Sequence, residues 1–416
     1  MIKKIAVSIG LLFSLVSFAQ EGTASPYSFY GIGDVKFGGT AENRSMGGIS
    51  VFPDSIHVNL QNPAQFASLK FTTLSVGGTY SNVKFKTESQ QEKARRTTLD
   101  YLAVGIPAGK LGFGFGLMPY SSVGYKIQKF ADSNSPITRR YNGVGGVNKA
   151  FVGFGYKLSK NFNIGADIQY NFGTIETKSL RFVDGVQFGT RELNVSDIQG
   201  FNFTTALTYQ NKLTDKLTFF GSFIFSPEAK LKLENSRNIA TVQFFSQGGE
   251  SVVDPVDVDV ENTTLKLPTK FAFGAGFGQV RKWLVGGEVT LQNTSDLGNR
   301  FNDIDNVEFE NSSRYSLGCY FIPNYNSYSS YFKKVTYRGG LRYENTGLII
   351  NDKSIEDFAV NLGLGLPMAG TFSNINVGLE IGKRGTQYYG LVEENYVNIS
   401  IGLSLSERWF IKRKYD

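Results

Sequence analysis

The chain has 416 residues, with 47 Gly, 35 Phe and 21 Tyr, 19% charged residues and a net charge of +7. A single cysteine, Cys319, excludes an intramolecular disulfide framework. The Lys and Arg residues are scattered rather than gathered into one basic segment, so the net charge does not indicate nucleic-acid binding. We expect these charges to lie in solvated loops or beside anionic lipid headgroups.

The first residues have the pattern of a secretory signal peptide. Lys3 and Lys4 precede an uncharged apolar run, residues 5–16, and Ser17 and Ala19 supply the small side chains of a cleavage site. A membrane anchor is the alternative, but the run is too short to cross about 30 Å of hydrocarbon as a helix. The sequence therefore predicts a signal peptide over residues 1–19 and export of the mature chain.

From residue 70 onward, apolar side chains alternate with small or polar ones, as around Phe113 and Phe203. Side chains on a strand point alternately to opposite faces, so each such run predicts a strand with one apolar face. No later stretch reaches the roughly 18 consecutive apolar residues that a transmembrane helix needs. Fourteen strands are predicted, centred near residues 76, 102, 116, 152, 167, 205, 222, 271, 287, 318, 339, 362, 378 and 400.

The predicted connections alternate in length, which is typical of outer-membrane barrels with short periplasmic turns and longer extracellular loops. A soluble propeller or sandwich has no reason to show this alternation. The segment 323–333 departs from it, being long where a short turn is expected. The short connections are 107–110, 158–161, 213–216 and 279–282, and the long ones are 84–96, 129–146, 177–199, 233–264 and 293–313. The fold class predicted is all-β, a transmembrane antiparallel β-barrel of about fourteen strands over residues 70–416.

Residues 20–69 are rich in Gly, Ser and Asn and have only weak periodicity. They suit a periplasmic extension, a disordered tail or a plug inside the barrel. A barrel of this strand number has a lumen wide enough to need filling if it is not to leak.

Two motifs in this segment resemble the N-terminal hatch of the FadL-type long-chain fatty acid transporters. In that family a Gly-rich segment and an Asn-Pro-Ala turn precede the first strand. The run 115–125 resembles the third strand of the family, the run 150–170 resembles the following hairpin, and the Leu-Pro at 267–268 resembles the start of a later strand. The matching hatch residues are Arg44, Met46, Gly47, Gly48, Asn62, Pro63 and Ala64.

The resemblance implies a fourteen-stranded barrel with an N-terminal hatch in its lumen. It also implies passive uptake of hydrophobic compounds, released sideways into the membrane beside a kinked third strand. Pro119, Tyr120 and Gly124 are the candidate residues for this kink and lateral gate. Proline cannot donate a ladder hydrogen bond and is tolerated mainly at bulges or edges. The alternative is that Pro119 only marks where the strand leaves the membrane.

The C-terminus departs from the aromatic ending that is common among outer-membrane barrels. The basic and aromatic tail, residues 407–416, resembles FadL-like barrels of bacteria that use the type 9 secretion system. That group has recruited such barrels as partners in protein machines. The resemblance therefore implies a second function, a non-transporting subunit of an outer-membrane protein secretion or assembly complex.

Residues that support an enzyme or a cofactor site are scarce. His57 is the sole histidine, so a Ser-His-Asp hydrolase or a zinc or iron site has little support. The Gly-rich run 274–278 alternates within a strand, where small side chains allow close approach of a plug or a neighbouring strand, and does not suit a phosphate loop. Four acidic residues, Asp254, Asp257, Asp259 and Glu261, lie in the longest loop without the spacing of a known Ca²⁺ loop, and a solvated loop is favoured. Arg139 and Arg140 are likewise expected to be exposed loop charges rather than a site for a carboxylate or headgroup.

Two hypotheses follow. The first is an outer-membrane channel for hydrophobic compounds, which predicts an apolar pocket beneath the outer loops lined by Phe and Leu. The second is the complex subunit, which predicts a lumen blocked by the hatch and stable protein partners. In both cases we expect a protein that is not an enzyme, has no cofactor, contacts membrane lipid and lies in the outer membrane after signal-peptide cleavage. A hydrophobic small molecule is the partner expected in the first case, and other outer-membrane proteins are expected in the second.

Overall fold

The computed structural model describes residues 22–131, 135–245, 249–298 and 306–409. The predicted signal peptide, residues 1–19, lies outside these ranges. The sheet closes into a barrel because the first strand pairs with the last, from Thr72 opposite Glu407 to Lys86 opposite Glu393. Numbered in chain order, the barrel strands are β1 (Thr72–Lys86), β2 (Gln91–Ala108), β3 (Leu111–Val123 and Lys126–Lys129), β4 (Ile137–Lys157), β5 (Phe162–Val183), β6 (Phe188–Lys212), β7 (Thr218–Ser226 and Ala229–Phe244), β8 (Glu250–Val258, Thr263–Leu267 and Lys270–Gln279), β9 (Trp283–Gln292), β10 (Ser312–Phe321), β11 (Thr336–Ile350), β12 (Lys353–Pro367), β13 (Asn374–Arg384) and β14 (Glu393–Glu407).

The prediction of a fourteen-stranded antiparallel barrel is confirmed, and every predicted strand centre lies in its strand. Two further short strands pair with the wall: Asp34–Val35 pairs with β3, and Val307–Phe309 pairs with the end of β11. Five short helical segments complete the described structure: Pro26–Phe29, Ala41–Arg44, Pro63–Ser68, Thr294–Asp296 and Tyr331–Lys333. None of the helices among the described residues is both long and apolar enough to span a lipid bilayer.

The outward face of the wall carries a belt of large apolar side chains. Along β3, Leu111, Phe113, Phe115 and Leu117 are exposed, while the glycines between them face inward. The same alternation runs along β12 and β14. A membrane barrel requires an apolar outer face and a polar or small-residue interior, because its outer face contacts lipid. Closure of the sheet also leaves no unpaired backbone groups facing lipid.

Several stretches expected as long loops are extensions of strands. The segment 84–96 holds the end of β1 and the start of β2, and the segment 177–199 is a β5–β6 hairpin whose turn lies between Val183 and Phe188. Likewise β4 begins at Ile137, within the loop expected over 129–146. Beyond the membrane both faces of a strand are solvated, so the ladder continues without the apolar alternation that marks the belt.

The connections at the two ends of the barrel differ as expected. The end with the long hairpins, which we call the outer end, includes the extended β5–β6 and β7–β8 hairpins. The opposite, inner end has short turns such as those after β2 and β4. The long inner connection between β10 and β11 is present and contains the helical turn Tyr331–Lys333, with Ile322 and Val335 buried.

Residues 22–71, here called the N-terminal segment, lie against the inward face of the wall. Inward-facing glycines on several strands leave room for its backbone. A Cβ on Gly112 would overlap the carbonyl oxygen of Phe66, and one on Gly165 would overlap the backbone of Pro63 and Ala64. In the run 274–278, where glycines were expected to admit a plug or a neighbouring strand, a Cβ on Gly276 would likewise overlap the ring of Phe52 of this segment.

Candidate functional site: the filled lumen and the gap beside β3

The Gly-rich motif lies where the N-terminal segment crosses β10 and β11. Gly47 and Gly48 have φ angles of 68° and 90°, a backbone conformation that favours glycine. A Cβ on Gly47 would lie 2.6 Å from the carbonyl oxygen of Leu341 and 2.7 Å from that of Leu317. Met46 is buried beside Ile49 in an apolar cluster. The motif thus brings backbone against backbone at this point of the lumen.

Arg44 ends the short helix Ala41–Arg44, and its side chain contacts β1 and β2 of the wall. Its Nη1 donates to Thr79 Oγ1 at 2.5 Å and lies 3.4 Å from Asp100 Oδ2. The guanidinium also lies over the ring of Phe37, 5.0 Å from its centroid. These contacts join the segment to β1 and β2.

The Asn-Pro-Ala motif starts the helical turn Pro63–Ser68. Asn62 caps this turn, with its side-chain oxygen accepting from the backbone N–H of Ala64 at 3.2 Å, and Pro63 takes the first position, where no N–H is needed. Ala64 is fully buried beside Ala206, Ile224 and Ala272. The turn is small enough to rest on the inward glycines of β4 and β5.

The largest apolar cluster lies beneath the outer hairpins. The inward side chains come from β3 to β8 and include Leu231, Leu233 and Leu265, each at most 6% exposed. Ile32 of the N-terminal segment is a member of this cluster, and Phe29 packs against it, with its ring centroid 5.0 Å from that of Tyr125. The apolar lining that a hydrophobic pocket would need is present, and side chains of the segment pack on it.

The opposite side of the lumen is charged. A cavity of about 150 Å³ lies between the N-terminal segment and strands β1, β2 and β11 to β14. Arg384 Nη1 donates to Asp34 Oδ1 at 2.8 Å, and its Nη2 donates to Asp357 Oδ2 at 3.2 Å. Arg342 Nη2 lies 3.1 Å from Glu380 Oε1. This cavity is lined mainly by charged and polar residues, many of the charges paired, and not mainly by Phe and Leu.

Asp34 enters this network from the N-terminal segment, as does Ser25, whose Oγ donates to Glu394 Oε1 at 2.5 Å. Asp34 also accepts from Lys36 Nζ at 2.9 Å and from Thr23 Oγ1 at 3.1 Å. Burial alone would raise the pKa of the Asp34 carboxyl, but Lys36 and Arg384 outweigh burial and hold the pKa well below its ordinary value. Asp34 is therefore a charged tether between the segment and β13.

His57 lies buried near the inner end. Its Nδ1 is 2.7 Å from Asp54 Oδ2, and its Nε2 is 3.9 Å from Glu42 Oε1. Burial would lower the pKa of His57, but the carboxylates of Asp54 and Glu42 outweigh it and raise the pKa. No serine side chain donates a hydrogen bond to His57 among the described residues, and Asn374 Nδ2 is its neighbour at 3.5 Å. This arrangement suits a structural ion pair.

Strand β3 separates from β2 part-way along its length. The ladder between them stops at Leu102 opposite Leu117, whereas β3 stays paired with β4 through a register shift between Pro119 and Ser121. Strand β3 thus continues beyond Pro119 through a bulge. We call the space between β2 and β3 above Leu117 the wall gap.

The N-terminal segment covers part of the wall gap. Asp34 and Val35 pair with Ser122 and Ser121 of β3, and the N–H of Lys36 donates to the carbonyl oxygen of Tyr120 at 2.9 Å. The N–H of Gly124 donates to Ser28 Oγ at 3.2 Å. The three gate candidates therefore lie along one border of the gap, with Tyr120 and Gly124 in contact with the segment.

The remaining sequence candidates fall elsewhere. Asp254 and Asp257 lie on the strand Glu250–Val258 rather than in a loop, and no group of three or more His, Cys, Asp or Glu that could hold a metal occurs within the described ranges. Arg139 and Arg140 lie on β4, not in a loop, and Arg140 lies over the ring of Phe182. The run 274–278 is part of β8.

A family model described as BamG matches residues 1–416. The chain belongs to the BamG family. A search of curated proteins found no match. Solved structures share the fold of this BamG family member at low sequence identity, so they show the fold and not the activity.

Three of these structures have TM-scores between 0.56 and 0.61. The toluene transporter TodX of Pseudomonas putida is 16% identical over 91% of this chain and 100% of its own, with a TM-score of 0.61. The toluene transporter TbuX of Ralstonia pickettii is 13% identical over 89% and 99%, also at 0.61. A FadL homologue of Pseudomonas aeruginosa is 13% identical over 92% and 100%, at 0.56. The FadL-type resemblance is confirmed, and the BamG family member is an outer-membrane β-barrel of that fold.

Sequence reasoning missed the charged network around Arg384. The signal was available, because Arg342, Asp357, Glu380 and Arg384 fall on the inward phase of their strands, where uncharged or small residues are common elsewhere in this barrel. Asp34 lacked any such pattern, since it lies in a segment of weak periodicity.

Proposed function

We propose that this BamG family member is a subunit of an outer-membrane protein assembly or secretion complex and does not conduct hydrophobic solutes. The observation that carries the proposal is the filling of the lumen. Ile32 and Phe29 pack on the apolar cluster beneath the outer hairpins, and the cavity on the other side is lined mainly by charged and polar residues. A hydrophobic solute would have to displace the segment or pass charged groups, and both are costly. Membership of the BamG family is compatible with this role.

Purification of the full chain from its native membrane in mild detergent tests the proposal. The expected result is a stoichiometric complex with other outer-membrane proteins and little bound fatty acid. Recovery of a monomer that carries bound lipid or another hydrophobic compound would contradict it. Extraction in a harsh detergent serves as the control, since it dissociates partners and leaves a barrel intact.

The division of the chain into a signal peptide (1–19), a hatch (20–69) and a barrel (70–416) belongs to the same proposal. Deletion of residues 20–69, with an exported barrel retained, is expected to raise the ion permeability of liposomes, because a barrel of this strand number has an open lumen when unfilled. Heat-dependent mobility in electrophoresis would show that the deleted form folds. A folded deletion form that leaves liposomes tight would contradict the hatch.

The wall gap supports a second candidate, an uptake channel for hydrophobic compounds with lateral release beside Pro119. The solved structures of TodX and TbuX are described as toluene transporters. A cysteine pair, Val35→Cys with Ser121→Cys in a Cys319→Ser background, would fix the segment across the gap, because these two positions are opposite partners. If the channel candidate holds, oxidation of the pair abolishes uptake of a labelled fatty acid and reduction restores it. Uptake that ignores the oxidation state, or that equals uptake without the protein, contradicts lateral release.

A further inference from the structure

The outer part of β8 is an edge of the sheet. Glu250–Val258 pairs with β7 on one side, from Glu250 opposite Phe244 to Val258 opposite Arg237. On its other side, β8 pairs with β9 only from Lys270 opposite Gln292 inward. Among the described strands, none pairs with the second side of Glu250–Val258. Backbone N–H and C=O groups therefore face away from β7 beyond the membrane belt, except at Pro255, which has no N–H to donate.

This edge is exposed on both faces. Residues 251–257 are all exposed, and Val252, Val253 and Val256 are 40%, 53% and 54% exposed. Native proteins normally shorten, cover or charge such edges because they template pairing with another chain. Here the strand has nine residues and no described strand covers its second side, so its acidic side chains and Pro255 are what limits the pairing of this edge with other chains. That length corresponds to about 30 Å of extended backbone.

The charge along the edge has one sign. Glu250, Asp254, Asp257, Asp259 and Glu261 are acidic, and no Lys, Arg or His occurs from residue 250 to residue 265. Lys178 neutralises Glu250, whereas the ion pairs of the described residues include none made by the other four acids. We call residues 250–261 the acidic edge. Two acidic edges would repel each other, which disfavours a second copy of this edge as the occupant.

We propose that the acidic edge binds an extended, basic segment of a partner protein by β-strand addition. The free backbone groups supply the hydrogen bonds, the exposed valines supply small apolar contacts, and the carboxylates select Lys and Arg on the incoming strand. The inference rests on the proposed role as a complex subunit and names the chemistry of one partner. Because the edge lies at the outer end, the partner segment lies outside the membrane belt.

A fluorescent peptide of alternating Lys and Val, about nine residues long to match the strand, tests the edge directly on the full chain in detergent micelles. The variant Asp254→Lys with Asp259→Lys is expected to weaken peptide binding by at least about tenfold, since it replaces attraction with repulsion. The matched control is Glu88→Lys with Asp215→Lys, two exposed acids in turns distant from the edge in sequence. This control makes the same change in net charge and is expected to bind the peptide as the natural protein does.

A second peptide separates strand addition from simple charge attraction. N-methylation of alternate residues keeps the charge but removes hydrogen-bond donors along one side of the peptide, and we expect it to bind at least about tenfold more weakly. Equal binding of both peptides, equal binding to both double variants, or no binding to the natural protein would overturn the proposal. If the proposed subunit role itself were wrong, purification from the native membrane would instead yield the protein without stoichiometric partners.

Discussion

Glycines on the inward face decide how closely the N-terminal segment can approach the wall. At Gly112 and Gly165, the backbone of the segment occupies the place that a side chain would take. At Gly47, the absence of a side chain lets the segment approach the carbonyl oxygens of β10 and β11. Small residues at these points allow direct contact between the backbone of the segment and the wall. The filled lumen is thus specified residue by residue.

Replacement of Gly112 by Ala tests this argument. The added Cβ would overlap the carbonyl oxygen of Phe66, so we expect the contact to loosen at a cost of about 1–3 kcal/mol. The measurement is the rate at which a protease cleaves the N-terminal segment of the folded barrel, and Gly112→Ala should raise it. Gly221→Ala is the control, because its nearest atoms would lie 3.7–4.0 Å away, at ordinary contact distance. Equal cleavage of the two variants would contradict the argument.

The ion pair of Asp54 and His57 gives the segment a pH dependence. The pKa of His57 is raised above 6.5, so its contribution to stability is complete below pH 6.5 and is lost as the pH rises through the raised pKa. Burial would raise the pKa of Asp54, but His57 holds it down to about 2, so its contribution is complete above pH 3.8 and is lost as the pH falls toward 2. The pair should therefore stabilise most between pH 3.8 and 6.5.

We expect His57→Gln to lower the urea midpoint of unfolding at about pH 5 more than at pH 9. Because 42% of the Asp54 side chain is exposed, solvent weakens the pair and the difference should stay below about 1 kcal/mol. Asp215→Asn, a change in an exposed inner turn, is the control and should show no such trend. A loss of equal size at both pH values would contradict the assignment.

At the scale of the element, the strand assignment followed from the sequence and the strand ends did not. Along β3, β12 and β14, exposed apolar residues alternate strictly with inward-facing ones, and this alternation identifies them as strands. The outer halves of β5 and β6 carry mixed polar residues on both faces, as at Lys178 and Asn194, and the stretch 177–199 was expected as a loop. Register in such two-sided polar strands comes from pairing across the hairpin, which the local pattern does not show.

The wall gap likewise could be predicted only in part. Pro119 indicated a bulge because it lacks an N–H, and the register shift lies there. The coverage of the gap by Asp34 and Val35 depends on contacts some ninety residues apart in the chain. Nothing in the composition of residues 20–69 marks those two positions.

Asp34→Asn tests whether the tether to Arg384 keeps the gap covered. The change removes one charge from a buried pair and leaves Arg384 with Asp357 and Glu394. We expect amide hydrogen exchange at residues 33–36 to rise by about tenfold, since removal of one partner of a buried pair is strongly destabilising. Asp100→Asn, which weakens the contact of Arg44 with β2 instead, should leave exchange at residues 33–36 near that of the natural chain. Unchanged exchange in Asp34→Asn would show that the β3 pairing alone holds the cover.

At the scale of the whole molecule, the depth of the barrel in the bilayer can be read from its one cysteine. Cys319 is exposed on the outward phase of β10, two residues from Leu317 and two from Phe321, in the apolar belt. A thiol facing hydrocarbon is shielded from water and from charged reagents dissolved in it. In liposomes the natural chain should therefore resist a charged maleimide and react only after unfolding.

A cysteine moved to the acidic edge provides the comparison. Cys319→Ser with Ser251→Cys places the thiol on the exposed outer strand, where the same reagent should modify it within the folded protein. The ratio of the two modification rates measures the difference between lipid-facing and water-facing sites on one sheet. Rapid modification of Cys319 in the bilayer would place β10 outside lipid and would require a different orientation of the belt. Slow modification at both positions would instead show that the outer strand is covered, as it would be by a bound partner.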